Sequence, residues 1–159
     1  MQLLPFIIMS SPRPSFLAIF IVLIAACPAL GADSTLKIDD AWVRAVPSSL
    51  SDTAAFMHIV NSGDTPLRLT GAETPLAAMA MPMATTHKTV NGVEVLGMKS
   101  VDFIEIPAHG EATLKPGGDH LMLMTLSAHP HPGDTIPITL QFEPGHQKIT
   151  IQLTARIDG

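Results

Sequence analysis

From residue 36 onward the chain is a series of short runs in which apolar and polar positions alternate, each ended by turn-forming residues. Alternation with period two sends successive side chains to opposite faces of a strand. Leu36-Lys37-Ile38 and Ala41-Trp42-Val43-Arg44-Ala45-Val46 read this way, and Pro47 to Asp52 is a loop. Thr53 to Val60 reads as a strand stopped by the turn Asn61-Ser62-Gly63-Asp64. Leu67 to Ala72 alternates again. Asn91-Gly92 is the strongest hairpin signal in the chain, joining Thr86–Val90 to Val93–Leu96. Val101 to Ile106 alternates up to the turn Pro107-Ala108-His109-Gly110, and Ala112-Thr113-Leu114 precedes the turn Lys115-Pro116-Gly117-Gly118-Asp119. His120 to Leu126, Ile136 to Phe142 and Ile149 to Leu153 complete the set. No stretch carries apolar residues convincingly at helical spacing. Eight to ten short strands with Gly/Pro turns predict an all-β sandwich.

Composition agrees and adds an address. The 159 residues suit one domain, and 14 prolines fit a β-rich fold with many turns. Only 14% of residues are charged and the formal net charge is −5, which argues against nucleic acid as a partner. Phe16 to Ala26 is an apolar run preceded by Arg13 and followed by small residues, the layout of a secretory signal. Ala29-Leu30-Gly31 fits the small-x-small rule. Residues 1–31 are therefore read as a signal peptide and 32–159 as the mature domain. The run is too short for a stable transmembrane span, and export places the domain in the periplasm. Cys27 is the only cysteine, and Leu23-Ile24-Ala25-Ala26-Cys27 also resembles a lipobox. Pro28 directly after it favours plain secretion over a lipid anchor. The mature chain then has no cysteine, so no disulfide supports the fold, and 8 basic face 14 acidic residues.

The chemistry concentrates between Met79 and Met124. Along His120-Leu121-Met122-Leu123-Met124, the first, third and fifth side chains share one face, so His120 and Met122 can reach one ion without bending the backbone. Met also fills cores, which leaves ligand and core as two readings for Met122 and Met124. His87 belongs on the first arm of the Asn91-Gly92 hairpin, and Met98 near the end of the second. Together, His87, Met98, His120 and Met122 offer two imidazoles and two thioethers. Soft, uncharged sulfur selects Cu(I) over Zn, Mg or Ca. Met79, Met81 and Met83 repeat with period two; they could extend the site or give copper an entry path, but a half-buried strand is the preferred reading. His129-Pro130-His131 reads as an exposed turn with weak affinity for Cu(II) or Zn. His58, His109 and His146 read as structural or solvated.

The spacing His87-x10-Met98-x21-His120-x-Met122 resembles that of the periplasmic copper chaperones of the PCuAC family. The flanking text is similar too: Asp40-Ala41-Trp42-Val43-Arg44-Ala45, Asn61-Ser62-Gly63-Asp64, Leu114 to Met124 and Gly133 to Leu140. The resemblance covers about residues 35–155. It implies a cupredoxin-like Greek-key β-sandwich that binds one Cu(I) per chain and passes it to the dinuclear copper centre of cytochrome c oxidase during assembly. In the family a Met often stands two residues after the first His; here that position is Thr89. The chain ends Ala155-Arg156-Ile157-Asp158-Gly159 without a His/Met-rich tail, so a second, Cu(II) site is not expected.

The expectation is a monomeric Cu(I) carrier, not an enzyme, whose partner is a copper-accepting oxidase domain or another copper chaperone. Blue-copper electron transfer needs a Cys thiolate, which the mature chain lacks. A copper oxidase or dismutase needs clustered His with an open position. Copper storage or resistance, and a metal-free β-sandwich binding module, are the other functions this sequence admits.

Overall fold

The structure, a computed structural model, describes residues 35–157; the signal segment, Cys27 and the cleavage point lie outside them. Ten strands follow in chain order: β1 (Leu36–Arg44), β2 (Thr53–Asn61), β3 (Leu67–Thr74), β4 (Ala77–Val90), β5 (Val93–Ser100), β6 (Ile104–Ile106), β7 (Gly110–Leu114), β8 (His120–Leu126), β9 (Thr135–Glu143) and β10 (Gln147–Arg156). They pair in the order β5-β4-β8-β2-β1-β10-β9-β3-β6, and a further β3–β4 pairing closes the sheet on itself. β7 pairs with β2 at Met57–Asn61, beyond the Thr53–Ala55 segment that pairs with β8. Among the described residues, β1–β10 is the one parallel pairing. The architecture is the expected all-β, cupredoxin-like sandwich. Among the described residues, no helix is long and apolar enough to cross a membrane.

The closed sheet wraps around a core set by the period-two pattern. Val43, Ala55, Ile59, Leu69, Leu121, Leu123, Ile138, Leu140 and Leu153 point inward and are fully buried. At about 1.5–3 kcal/mol for each large aliphatic side chain buried, these rows dominate the stabilisation. Asn61 is buried where the turn after β2 meets the turn before β7. Its Nδ2 donates to Thr65 O at 2.8 Å and to Pro107 O at 3.1 Å, and its Oδ1 accepts from Gly63 N at 3.0 Å.

Two elements differ from expectation. The run 36–38 and the first part of the run 41–46 join in one strand, which ends at Arg44 and leaves Ala45 and Val46 outside it; its register against β2 shifts between Asp39 and Trp42, with Asp40 at φ 45°. In the run Val101–Ile106 only Ile104–Ile106 is strand. Before it, the Arg68 guanidinium lies 4.6 Å from the Phe103 ring centroid. The hairpin forms as expected: Asn91 (φ 51°) and Gly92 (φ 80°) make the two-residue turn between β4 and β5, both in the left-handed region that this turn requires.

Candidate metal centre

The centre begins at the turn that launches β8. Gly117 has φ 74°, a conformation side chains resist, and Lys115 N donates to Asp119 O at 2.9 Å to close the turn. The turn is tied to β4 twice: Thr85 N donates to Asp119 Oδ1 at 3.0 Å and Thr85 Oγ1 to Gly118 O at 2.8 Å. This delivers His120 as the first residue of β8, only 5% exposed. Its Nδ1 lies 2.9 Å from Gly118 O. A carbonyl only accepts, so Nδ1 carries the proton and Nε2 keeps a lone pair for a metal. The ring packs 6.2 Å from the Phe56 centroid, and Phe56 lies 4.5 Å from Trp42. Phe56 flanks the imidazole and Trp42 stacks behind Phe56, and neither belongs to the core cluster.

Met98, His120 and Met122 line one depression of about 190 Å³, together with Arg44, Ala54 and Asp52 among others. Met98 stands opposite Thr85 on β5 and is 66% exposed. His120 and Met122 come from alternate positions of β8, whose intervening Leu121 is in the core. Three of the four expected ligands thus share a wall. His87 does not line the depression. It stands opposite Leu96, two residues along β4 from Thr85, which makes it a diagonal neighbour of Met98 on the same face, at about 7–8 Å. Its Nδ1 lies 2.8 Å from Glu94 Oε1. A carboxylate accepts, so His87 also presents Nε2, in the carboxylate–histidine arrangement that orients metal-binding imidazoles.

The methionines separate cleanly from the core. Met57 is packed inside at 2% exposure, whereas Met122 and Met124 face outward and belong to no core cluster. Met79, Met81 and Met83 lie on β4, directly opposite Met124, Met122 and His120 respectively. His129 Nε2 donates to Leu50 O at 2.9 Å, and His131 lies beside Asp134, so the two imidazoles of that turn have separate partners. His58, His109 and His146 pair with Glu111, Asp64 and Glu143. Among the described residues, no three His, Cys, Asp or Glu side chains are grouped for a metal ion. The sequence did not single out Phe56, Arg44, Glu94 or Asp119 as supports. For Phe56 the signal was hidden, because Thr53 to Met57 is buried on both faces and shows no alternation.

Residues 36–155 match the family described as "Putative lipoprotein LpqE-like". The chain belongs to this LpqE-like, PCuAC-type family. A Leifsonia xyli subsp. xyli protein, itself named a "Putative lipoprotein", is 37% identical over 123 residues, which is 76% of this chain and 69% of that protein. The Cu(I) form of DR1885 from Deinococcus radiodurans is 42% identical, with a TM-score of 0.59 over 73% of this chain and 74% of that one. The copper-bound PCuAC domain from PmoF2 is 25% identical, with a TM-score of 0.63 over 78% of this chain and 94% of that domain.

Proposed function

We propose that this chain is an exported carrier of one Cu(I) ion, held by Met98, His120, Met122 and His87, and that it delivers copper for assembly of the dinuclear centre of cytochrome c oxidase. One observation carries the reading: Met98, His120 and Met122 line one depression, with the His120 proton fixed on Nδ1 by Gly118 so that Nε2 is the free donor. Two structural relatives solved with copper support the choice of metal. Imidazole and thioether are neutral, so the bound ion keeps its single charge, and thioethers exchange readily. Thiolates are stronger soft ligands, so transfer to a Cys-containing acceptor runs downhill by ligand exchange. No substrate bond is made or broken, and the chain acts as a carrier rather than an enzyme. His87 closes the fourth position from the hairpin, whose outer half is exposed from His87 to Leu96.

The family name shifts the reading of the N-terminus. With the lipobox-like Leu23-Ile24-Ala25-Ala26-Cys27, it favours a lipid anchor at Cys27 over plain secretion. Anchoring would hold the carrier beside a membrane-bound acceptor. Cys27→Ala should then move the exported protein from the membrane to the soluble fraction; unchanged partition would contradict the anchor.

The test of function is a Cu(I) titration followed by transfer to a soluble oxidase copper domain. One tightly bound equivalent, then passed to the acceptor, is expected. Binding without transfer would assign the chain to copper storage. No binding to folded, reduced protein would overturn the carrier reading.

A further inference from the structure

Seven methionines lie in the described residues, and six of them (Met79, Met81, Met83, Met98, Met122 and Met124) lie outside the core. Five of these form a two-stranded ladder with His120. Met79 faces Met124, Met81 faces Met122, and Met83 faces His120 across the β4–β8 pairing. Directly opposed residues of an antiparallel pair share a face, with Cβ atoms about 4.5–5.5 Å apart. That face is away from the core, since Ala80 and Pro82 alternate with the methionines on β4 and stand opposite the buried Leu123 and Leu121. Met79 is 53% exposed, and Met81, Met122 and Met124 are half-buried. Leucine would cover this surface as well as methionine does, so sulfur is the property that distinguishes the row.

We infer that Met79, Met81 and Met124 form a second, thioether-only site for Cu(I), which passes the ion to the His120–Met122–Met98 centre. The inference rests on that centre being the carrier site. Met79 and Met124 are directly opposite, and Met81 is the next residue on the same face of β4, so three flexible side chains can converge on one ion. Three neutral sulfurs select a soft, singly charged ion and discriminate against Zn and Cu(II). Ser100 Oγ donates to Met81 Sδ at 3.7 Å, which engages one sulfur lone pair and leaves the other for an ion. The next rung, Met81–Met122, lies one i to i+2 step along the strands, about 6.6–6.8 Å. Met122 therefore belongs to both the ladder and the centre, and the ion moves by exchanging one thioether for another. No electron or proton is transferred. Three thioethers without imidazole hold copper less tightly than the mixed centre, so the ladder loads it and does not compete with it.

The exported protein, with its methionine methyl groups labelled with carbon-13, is titrated with Cu(I) anaerobically against a coloured chelator. The first equivalent should shift the Met98 and Met122 methyl signals. A second, held at least about tenfold more weakly, should shift those of Met79, Met81 and Met124 and leave core Met57 unmoved. The double variant Met79→Leu, Met124→Leu conserves volume; it should lose the second equivalent and keep the first, with an unchanged circular dichroism spectrum. Met98→Leu should weaken the first equivalent and leave the ladder signals responsive. Uptake of a single equivalent that moves only Met98 and Met122 would overturn the ladder and spare the carrier site. A response of the ladder methyls alone would overturn the carrier site and support the ladder. No binding at all would overturn both.

Discussion

Replacing Met98 by Leu separates a ligand from a packing residue more sharply than any other single change. Met98 is 66% exposed, lies on β5 and has no place in the core cluster. Leucine is close in volume, and surface changes away from special features usually stay within about 0.5 kcal/mol. The apo protein should therefore unfold in urea with a midpoint and slope close to the parent's. Copper affinity should respond very differently. Residues that merely support metal ligands cost about 10–100-fold when changed, so removing a ligand should cost about a hundredfold or more. At about 1.4 kcal/mol per tenfold, that is ~2.8 kcal/mol or greater. The assay is competition with a coloured Cu(I) chelator, paired with urea unfolding of the apo form. Leu123→Ala is the converse control: Leu123 is fully buried, so about 2–5 kcal/mol of stability should go. Copper affinity within about twofold of the parent in Met98→Leu, or a loss of apo stability above ~1.5 kcal/mol, would refute the reasoning.

Gly92→Ala places a side chain at φ 80°, costing about 1–2 kcal/mol confined to the hairpin. Amide exchange should quicken across β4 and β5 but not across β9 and β10, and Cu(I) should bind more weakly because His87 and Met98 lose their register. Glu94→Gln keeps the shape but weakens the acceptor for His87 Nδ1. Both side chains are more than 60% exposed, at 62% and 67%, so Cu(I) affinity should fall by less than about tenfold in the same chelator assay. Asn61→Ala strips the buried hydrogen bonds to Thr65 O and Pro107 O and should cost about 1–3 kcal/mol in urea unfolding, with copper affinity unchanged.

The parts of this molecule legible in the sequence are those set by local chemistry. Asn91-Gly92 specifies its own turn, and the alternation in His120–Leu126 puts His120 and Met122 on one face and Leu121 and Leu123 on the other. What sequence could not supply was register between distant strands. Nothing local places Met79, Met81 and Met83 opposite Met124, Met122 and His120, because the β4–β8 pairing spans some forty residues of chain. Nor could it decide whether Met122 belongs to the core, since thioethers pack there too; its place on the outer face takes it out of the core cluster. Burial on both faces hid Phe56, and the bend at Val101–Phe103 shortened a run that alternates perfectly well on paper. His87 shows a further limit. Its spacing matches the family pattern, yet its ring turns to Glu94 and not to the depression that the other three residues line.

The most direct test of the copper site is X-ray absorption at the copper edge on protein carrying one equivalent of Cu(I). A first shell mixed between imidazole nitrogen and thioether sulfur, with sulfur reduced in Met122→Leu and nitrogen reduced in His120→Ala, is the expected result. A shell of nitrogen and oxygen alone, or a spectrum indifferent to both substitutions, would contradict the account.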